Sequence, residues 1–355
     1  MDVISADGIS LRFNREGGVI DDLAIESGGQ TIRPLHRAPW LDSGETLPDG
    51  VAPVEQRLAG DFFCAPFARS EPGVPIHGWS ANGDWEGGEQ SATAGGGVSA
   101  VYRLEQQVSG ARLEKAIALR PGEPVVYQTH VFEGGTGRLP IAHHAMIRVP
   151  GSARLSFSPK SGGRTMAAPP ETDPARGRSI LSYPQSFTDL SAVRRDDGAM
   201  ADLGRYPFDH GHEDIVVLSE QPGRRIGWSA ALAAEDGFLF FALKDASVLP
   251  QTVLWMSNGG RRYAPWNSRH IAVLGIEEAA TGIHLQPGED RPGGVATDIE
   301  LGDGRKVVRY AFGAVPAPVG WSEVTDIEMS GDELTIVDRS GERLALPFDG
   351  GFFTG

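Results

Sequence analysis

The chain has 355 residues, which is enough for one large β domain or for two domains of ordinary size. Its 47 acidic and 32 basic residues give a formal net charge of -15, and this average field disfavours nucleic acids and anionic membranes as partners. The 47 glycines and 25 prolines are typical of a protein rich in turns and argue against a helical or disordered chain.

The sequence shows no basic segment near Met1 and no apolar run as long as a membrane span. We therefore expect neither a secretory signal nor a transmembrane segment, and we expect a cytoplasmic location. The single cysteine, Cys64, cannot form an internal disulfide, which agrees with a reducing compartment. Between Phe63 and Ala65 it is predicted to be a small buried apolar residue.

Short alternating segments follow one another along the chain and predict β-strands. Residues 8–13 alternate apolar and polar side chains, and a Gly-Gly turn leads into residues 19–23, so an opening hairpin is expected. Further strands are predicted at residues 98–104, 111–119, 125–132, 214–219, 225–232, 237–243, 251–256, 270–277 and 305–312. Because helical periodicity is weak, the sequence predicts an all-β protein, a large antiparallel β-sandwich.

Two segments break the regular pattern of strands. Residues 159–205 are rich in Gly and Pro, and we interpret them as long excursions from the sandwich, where binding surfaces are often built. Residues 315–319 read Val-Pro-Ala-Pro-Val and indicate a semi-rigid connector. The predicted organisation is a main domain, residues 1–313, and a C-terminal extension, residues 314–355, expected to form a hairpin on the main sheet or on a partner.

The segment PIHGWSANGDW, residues 75–85, places one histidine and two tryptophans between turn signals. His77 is a candidate polar group of a binding site. The ring of Trp85 could stack on the apolar C–H face of a sugar, or it could simply pin the loop in an apolar cluster. A little earlier, Arg69 follows a Pro-Phe pair and is a second candidate for a ligand contact.

Two histidines are adjacent at positions 143 and 144. Neighbouring residues of a strand face opposite sides, so only one of them can share a face with Met146 and Arg148, and this one is His144. A single strand histidine is often structural, so His144 becomes a candidate acid only if other site residues converge on it.

Residues 209–214 read Asp-His-Gly-His-Glu-Asp. In an extended chain His210, His212 and Asp214 would face one side, an arrangement that could ligate zinc, iron or manganese. We favour instead a polar rim in which Asp209 or Asp214 contacts ligand hydroxyls. The prediction is that no metal is bound, with His210 and His212 as the weaker alternative.

An apolar run at residues 273–276 precedes two glutamates. A carboxylate that follows a buried strand loses hydration, and burial raises its pKa, so Glu277 is a candidate general base. For Glu278 we expect a strand that ends at solvent.

Taken in chain order, these motifs resemble the galactose mutarotase-like superfamily, which includes aldose 1-epimerases and sugar-phosphate mutarotases. The resemblance covers roughly residues 1–313, and it implies the family's supersandwich fold. The matching positions are Pro66-Phe67 with Arg69, His77-Gly78 with Trp85, His144, and Gly275-Ile276-Glu277. Where the family often has Asn-Arg after its Pro-Phe pair, this chain has Ala68-Arg69.

The resemblance implies that Glu277 removes the proton of the anomeric hydroxyl while protonated His144 donates to the ring oxygen, so that the sugar ring opens and recloses. It further implies that His77 and Arg69 bind the substrate and that Trp85 offers it an apolar face. Asp209 or Asp214 could correspond to the family's hydroxyl-binding aspartate. The resemblance implies that the chemistry requires no cofactor and that the ligand is a small sugar. The sequence leaves the oligomeric state undecided, with a homodimer as one alternative.

Three other functions remain open at this point. The first is a non-catalytic carbohydrate-binding protein on the same fold. The second is a metal-dependent sugar isomerase or lyase that uses His210 and His212, and the third is a glycoside hydrolase that uses Glu277 and Asp209. A phosphorylated ligand would need local arginines, such as Arg261 and Arg262, to oppose the negative charge of the chain.

Overall fold

The computed structural model describes residues 1–69, 72–286, 289 and 294–354. The helical elements are short and include α1 (Pro53–Gln56) and two 3₁₀ turns, Trp79–Ala81 and Ala94–Gly96. None of the helices among these residues is long and apolar enough to cross a membrane.

The strands of the described residues are numbered β1 to β26 in chain order. The first nine are β1 (Asp2–Ala6), β2 (Ile9–Asn14), β3 (Val19–Ser27), β4 (Gln30–Ile32), β5 (Phe63–Cys64), β6 (Trp85–Ala92), β7 (Val98–Leu104), β8 (Ala111–Leu119) and β9 (Val125–Leu139). The next eight are β10 (Ile141–His143), β11 (Ala145–Arg148), β12 (Ala153–Phe157), β13 (Lys160–Thr165), β14 (Ser186–Phe187), β15 (Val193–Arg194), β16 (Met200–Ala201) and β17 (Arg205–Tyr206). The last nine are β18 (His212–Glu220), β19 (Ile226–Ala233), β20 (Phe238–Asp245), β21 (Gln251–Asn258), β22 (Val273–Ala280), β23 (Ile299–Pro316), β24 (Val324–Ser330), β25 (Glu333–Asp338) and β26 (Arg343–Pro347).

Two large antiparallel sheets face each other. The first sheet has eight strands in the order β14-β13-β18-β21-β22-β10-β5, and β11 also pairs with β22. The second sheet has nine strands in the order β17-β12-β19-β20-β23-β9-β8-β7-β6. Leu254 and Ile276 of the first sheet share one apolar core with Phe240 and Phe312 of the second. The predicted all-β antiparallel sandwich is therefore confirmed.

Strand β22 shows how the first sheet divides its side chains between two environments. Because side chains alternate along a strand, Ile276 packs in the core between the sheets, and Val273 packs in a separate apolar cluster on the outer face. All eight residues of β22 are buried, since loops cover the outer face as well. The expectation that Glu278 marks a strand end at solvent is wrong: the strand continues to Ala280, and Glu278 is 0% exposed.

The remaining sheets are smaller. Strands β1 to β4 form one, β15 and β16 form a two-stranded ribbon, and β24 to β26 form a three-stranded sheet at the C-terminal end of the chain. The C-terminal sheet covers the outer face of the second large sheet, where Ile336 and Phe348 share an apolar cluster with Trp228 and Phe241. The last residues of the chain thus pack on the main sandwich, and strand β23 runs to Pro316 before they begin.

Candidate active site

A cavity of about 310 Å³ opens on the outer face of the first sheet, between strands β21 and β22 and the loops that cover them. Its lining side chains that carry aromatic or hydrogen-bonding groups are Glu55, Phe62, Phe67, His77, His144, Trp255, Arg261, Tyr263, Trp266 and Glu277. Three residues selected from the sequence, His77, His144 and Glu277, therefore meet at one cavity.

The pairing of the strands places His144 opposite Glu277. Strands β10 and β11 both pair with β22 in the same register, Ala142 with Ala279 and Ala145 with Ile276. Continued across the gap between β10 and β11, this register sets His144 beside Glu277, and the atoms His144 Nε2 and Glu277 Oε1 lie 3.2 Å apart. Both side chains are nearly enclosed, and among the described residues His144 Nδ1 has no hydrogen-bond partner.

Burial drives both members of this pair toward their neutral forms. It raises the pKa of Glu277 well above the ordinary value of 4.5. It lowers the pKa of His144 well below 6.5, and the nearby His77 lowers it further. A carboxyl and an imidazole in contact then hold one proton between Oε1 and Nε2, and the two groups titrate as a unit. Such a pair can accept a proton at one atom and release one at the other.

A tight backbone contact positions His77. The φ angles of His77 and Gly78 are 65° and 73°, and a Cβ atom on Gly78 would lie 1.9 Å from the carbonyl oxygen of Ala65. Only glycine permits this approach. The Asn82 amide donates to the Gly78 carbonyl oxygen at 2.7 Å and fixes the turn. The His77 ring then stands edge-on to His144, with 5.3 Å between the ring centroids.

Sequence reasoning missed the ion pair that holds Arg261 at the lining of the cavity. Glu213 of β18 is fully buried, and its carboxylate accepts hydrogen bonds from Trp255 Nε1 at 2.5 Å and from Ser257 Oγ at 2.8 Å. The same carboxylate lies 2.9 Å from Arg261 Nε, and the Arg261 guanidinium lies over the Trp266 ring, 4.2 Å from its centroid. The alternation of β18 could have placed Glu213 on the opposite face of the strand from His212 and Asp214. No sequence pattern near Glu213, however, indicates that Arg261 is its partner.

Arg261 is the single Lys or Arg among the described residues that line this cavity. Burial, followed by the charge of Arg261, lowers the pKa of His77 to about 4, so this imidazole is neutral near pH 7. Glu55 is a further carboxyl group of the lining that the sequence did not indicate. Burial raises its pKa although Arg261 opposes the shift.

Trp85 and Arg69 occupy other places than the sequence predicted. Trp85 is 2% exposed in the core of the sandwich, and its Nε1 donates to the Ser80 carbonyl oxygen at 3.1 Å, so the ring anchors the loop and does not form a wall of the cavity. Arg69 is exposed and is not among the described residues that line the cavity, although its neighbours Phe67 and Ala68 are.

The carboxylate of Asp214 is also directed away from the cavity. Asp214 is fully buried between the sheets, where it accepts hydrogen bonds from the backbone amides of Ile180 at 3.2 Å and Leu181 at 3.1 Å. Its Oδ2 lies 2.8 Å from His212 Nδ1. His212 and Asp214 thus share a face, as alternation predicts, but the face is an interior one whose groups bind each other.

Asp209 and His210 lie before the start of β18 and do not continue its alternation. Asp209 Oδ2 is 2.8 Å from Arg195 Nη2, and His210 is exposed at the rim of another pocket. Within the described ranges, no three His, Cys, Asp or Glu side chains form a group that could hold a metal ion. The two arginines that a phosphorylated ligand would need do not both line the cavity, because Arg262 is exposed and donates to the Pro174 carbonyl oxygen at 2.7 Å.

Comparison of the sequence with protein-family models and with curated proteins finds no match. Solved structures do match. A galactose mutarotase related enzyme from Lactobacillus acidophilus has a TM-score of 0.55 at 10% identity, over 90% of this chain and 98% of that chain. A candidate aldose 1-epimerase from Escherichia coli K12 has a TM-score of 0.56 at 14% identity, over 88% and 98%. A TPR-domain containing protein from Parabacteroides distasonis has a TM-score of 0.54 at 11% identity, over 92% and 49%.

The chain therefore has the galactose mutarotase-like fold, and the resemblance found in its sequence motifs is confirmed at the level of the fold. At 10% to 14% identity the similarity defines the fold alone. One fold carries many functions, so the activity has to be argued from the side chains of the cavity.

Proposed function

We propose that this protein interconverts the α and β anomers of an aldose, as an aldose 1-epimerase does. The observation that carries the proposal is the contact of 3.2 Å between His144 Nε2 and Glu277 Oε1 at the cavity. Opening a cyclic hemiacetal requires one proton to leave the anomeric oxygen O1 and another to reach the ring oxygen O5. Both oxygens are bonded to the same carbon, so the acid and the base must lie close together.

The reaction begins when the shared proton moves from Glu277 to His144, a transfer between two atoms already in contact. Glu277 then accepts the proton of the O1 hydroxyl as the C1–O1 bond becomes a double bond. His144 donates its Nε2 proton to O5 as the C1–O5 bond breaks. Rotation about C1–C2 turns the carbonyl group over, and the reverse transfers close the ring on its other face. No atom or electron is gained or lost.

The state of the pair after ring opening agrees with its surroundings. Once Glu277 has gained a proton and His144 has lost one, both groups are neutral, and this is the form that burial favours. The Phe62 ring stacks on the His144 ring at a centroid distance of 4.5 Å, and the Trp255 ring meets it edge-on at 5.4 Å. These two contacts hold the imidazole at the angle from which Nε2 reaches the sugar.

The charges of the cavity support an aldose without a phosphate group. Arg261 is already paired with Glu213, and the carboxyl groups of Glu55 and Glu277 also line the cavity. A phosphate dianion would meet these carboxyl groups, and the described lining offers no free cation to balance it. A neutral sugar can instead use the carboxyl groups and His77 for its hydroxyls, and the aromatic rings for its C–H faces.

The test is anomer exchange measured by NMR on a panel of aldoses and aldose phosphates. We expect the protein to accelerate exchange of at least one unphosphorylated aldose. His144→Asn should lower the rate by about 10²–10⁴-fold, the usual contribution of a positioned acid or base. His210→Asn, which changes an exposed histidine outside the cavity, serves as the matched control and should leave the rate unchanged.

Two results would contradict the proposal. One is a folded protein that accelerates exchange of no sugar on the panel. If that protein still bound a sugar, its function would be carbohydrate binding without catalysis. The other is an exchange rate that His144→Asn and His210→Asn leave equally unchanged, which would place the chemistry elsewhere.

A further inference from the structure

A second pocket, of about 610 Å³, lies on the other side of the loop formed by residues 259–272. This loop gives Arg261 and Trp266 to the cavity of the proposed active site, and it gives Arg262 and Arg269 to the second pocket. The described residues that line the second pocket include four arginines and two histidines but no Asp or Glu. The charge of this lining is therefore positive, whereas the chain as a whole has a net charge of -15.

Two of the four arginines have cationic groups available for a ligand. Arg37 is already paired with Asp21 and Asp42, and Arg269 is paired with Glu45. Arg148 and Arg262 are exposed, and neither forms an ion pair with a described carboxylate. Arg262 uses Nη1 for the Pro174 carbonyl oxygen, which leaves its other N–H groups available.

A buried and unpartnered histidine lines the same pocket. His36 is 5% exposed, and neither of its ring nitrogens has a hydrogen-bond partner among the described residues. Burial and the charges of Arg148 and Arg37 lower its pKa to about 3, so the ring is neutral and carries one N–H. Its ring stands edge-on to His270 at a centroid distance of 4.7 Å. A buried donor without a partner is costly, and a ligand in the pocket would supply one.

The loop that separates the two cavities is fixed before any ligand binds. Asn267, Ser268 and Ala272 have positive φ angles of 44°, 54° and 59°, a conformation that is uncommon for serine and alanine and that asparagine adopts more readily. The backbone amide of Ser268 donates to the Arg261 carbonyl oxygen at 2.7 Å, and that of Ala272 donates to Asn258 Oδ1 at 2.9 Å. The pocket wall next to Arg262 is therefore preorganised.

We propose that this second pocket binds a small oxyanion, the phosphate group of a phosphorylated metabolite, through Arg148, Arg262 and His36. The guanidinium fork matches the geometry of phosphate oxygens, and several N–H donors can bind one phosphate group. A volume of about 610 Å³ leaves room for the organic part of the ligand. The site is separate from the proposed active site and does not depend on epimerase activity.

The test is isothermal titration of the full-length protein with inorganic phosphate at low ionic strength, where the attraction is least screened. Arg148→Met and Arg262→Met should each weaken binding by about tenfold or more, the usual loss for a hydrogen bond to a charged group. Arg194→Met removes one charge from an exposed arginine outside this pocket, and we expect it to bind phosphate like the wild type. The ring signals of His36 should shift when phosphate is added.

Any of three results would overturn this proposal. The first is a folded wild-type protein that does not bind phosphate at millimolar concentration. The second is an equal affinity for chloride and phosphate, which would show unspecific ion binding. The third is the same change in affinity for all three arginine variants, because it would report only the net charge of the protein.

Discussion

The two faces of strand β22 hold one buried glutamate each, in adjacent positions and with different surroundings. Glu278, between the sheets, is ion-paired with Lys244 and accepts hydrogen bonds from Ser229 Oγ at 2.5 Å and Thr252 Oγ1 at 2.7 Å. Glu277, on the cavity side, contacts His144. A carboxylate with a full set of partners has a structural role. One that shares a proton with a single imidazole has a proton to transfer.

The two adjacent histidines show the same division. His143 is fully enclosed, stacks on Tyr310 at a centroid distance of 4.2 Å, and has its Nδ1 atom 3.6 Å from an oxygen of Asp61. His144 faces a cavity that a ligand can enter. Burial alone therefore does not separate a structural from a catalytic residue in this sheet. The contact of His144 with Glu277 and its access to a cavity do.

Lys244→Met tests the structural role of Glu278 on the inner face of β22. Lys244 is 0% exposed, and the substitution leaves the buried carboxylate of Glu278 without its cation. We expect the free energy of unfolding to fall by about 3–5 kcal/mol, the usual cost of breaking a buried ion pair. Denaturant titration measures it, and Lys306→Met, at a partly exposed site on β23, is the matched control. Equal stability of the two variants would contradict the structural role assigned to the pair of Lys244 and Glu278.

Gly78→Ala tests how strictly the backbone positions His77 on the cavity side. The new Cβ would overlap the Ala65 carbonyl oxygen, so we expect a loss of about 1–3 kcal/mol beyond the cost of the positive φ angle. Gly28→Ala gives that backbone cost alone, because Gly28 has a φ angle of 59° and no atom within 4 Å of its Cβ position. Chemical denaturation of both variants measures the difference, and similar losses would show that the turn can move.

The pH dependence of activity tests the protonation of the pair formed by Glu277 and His144, and its expected effect is smaller than that of the substitutions. The active pair holds one proton, and it gains a second one only below the lowered pKa of His144. It loses the shared proton only above the raised pKa of Glu277. We therefore expect a bell-shaped profile of kcat/KM whose acid limb lies below pH 6.5, the ordinary value for histidine, once the uncatalysed rate at each pH is subtracted. An acid limb at or above pH 6.5 would contradict the burial of His144.

The fold was predictable from local patterns, whereas the surroundings of single residues were not. Predicted strands 98–104 and 111–119 agree with β7 (Val98–Leu104) and β8 (Ala111–Leu119), since regular alternation reports a sheet with one face in the core. The same alternation separated His143 from His144 correctly. Glu278 was misplaced because β22 continues to Ala280, and the second sheet, whose strands β19 and β20 supply Ser229 and Lys244, covers its inner face.

The wall of the cavity could not be derived from the sequence for a similar reason. Trp85 lies beside turn residues, but its ring packs against strands that only the folded chain brings near it. Glu213 and Arg261 meet because β18 pairs with β21, and the arginine follows β21 in a loop. Both are tertiary contacts. Local sequence patterns selected His144 and Glu277, which meet at the cavity, while the residues that surround them depend on the topology.

The most direct test of the account is the anomer exchange rate of Glu277→Gln beside Glu278→Gln, with each protein at a known folded fraction. We expect that Glu277→Gln stays folded and loses about 10²–10⁴-fold in rate. Glu278→Gln should lose stability, while its folded molecules exchange anomers at the wild-type rate. Exchange at the wild-type rate in Glu277→Gln, or equal loss of rate in the folded molecules of both variants, would contradict it.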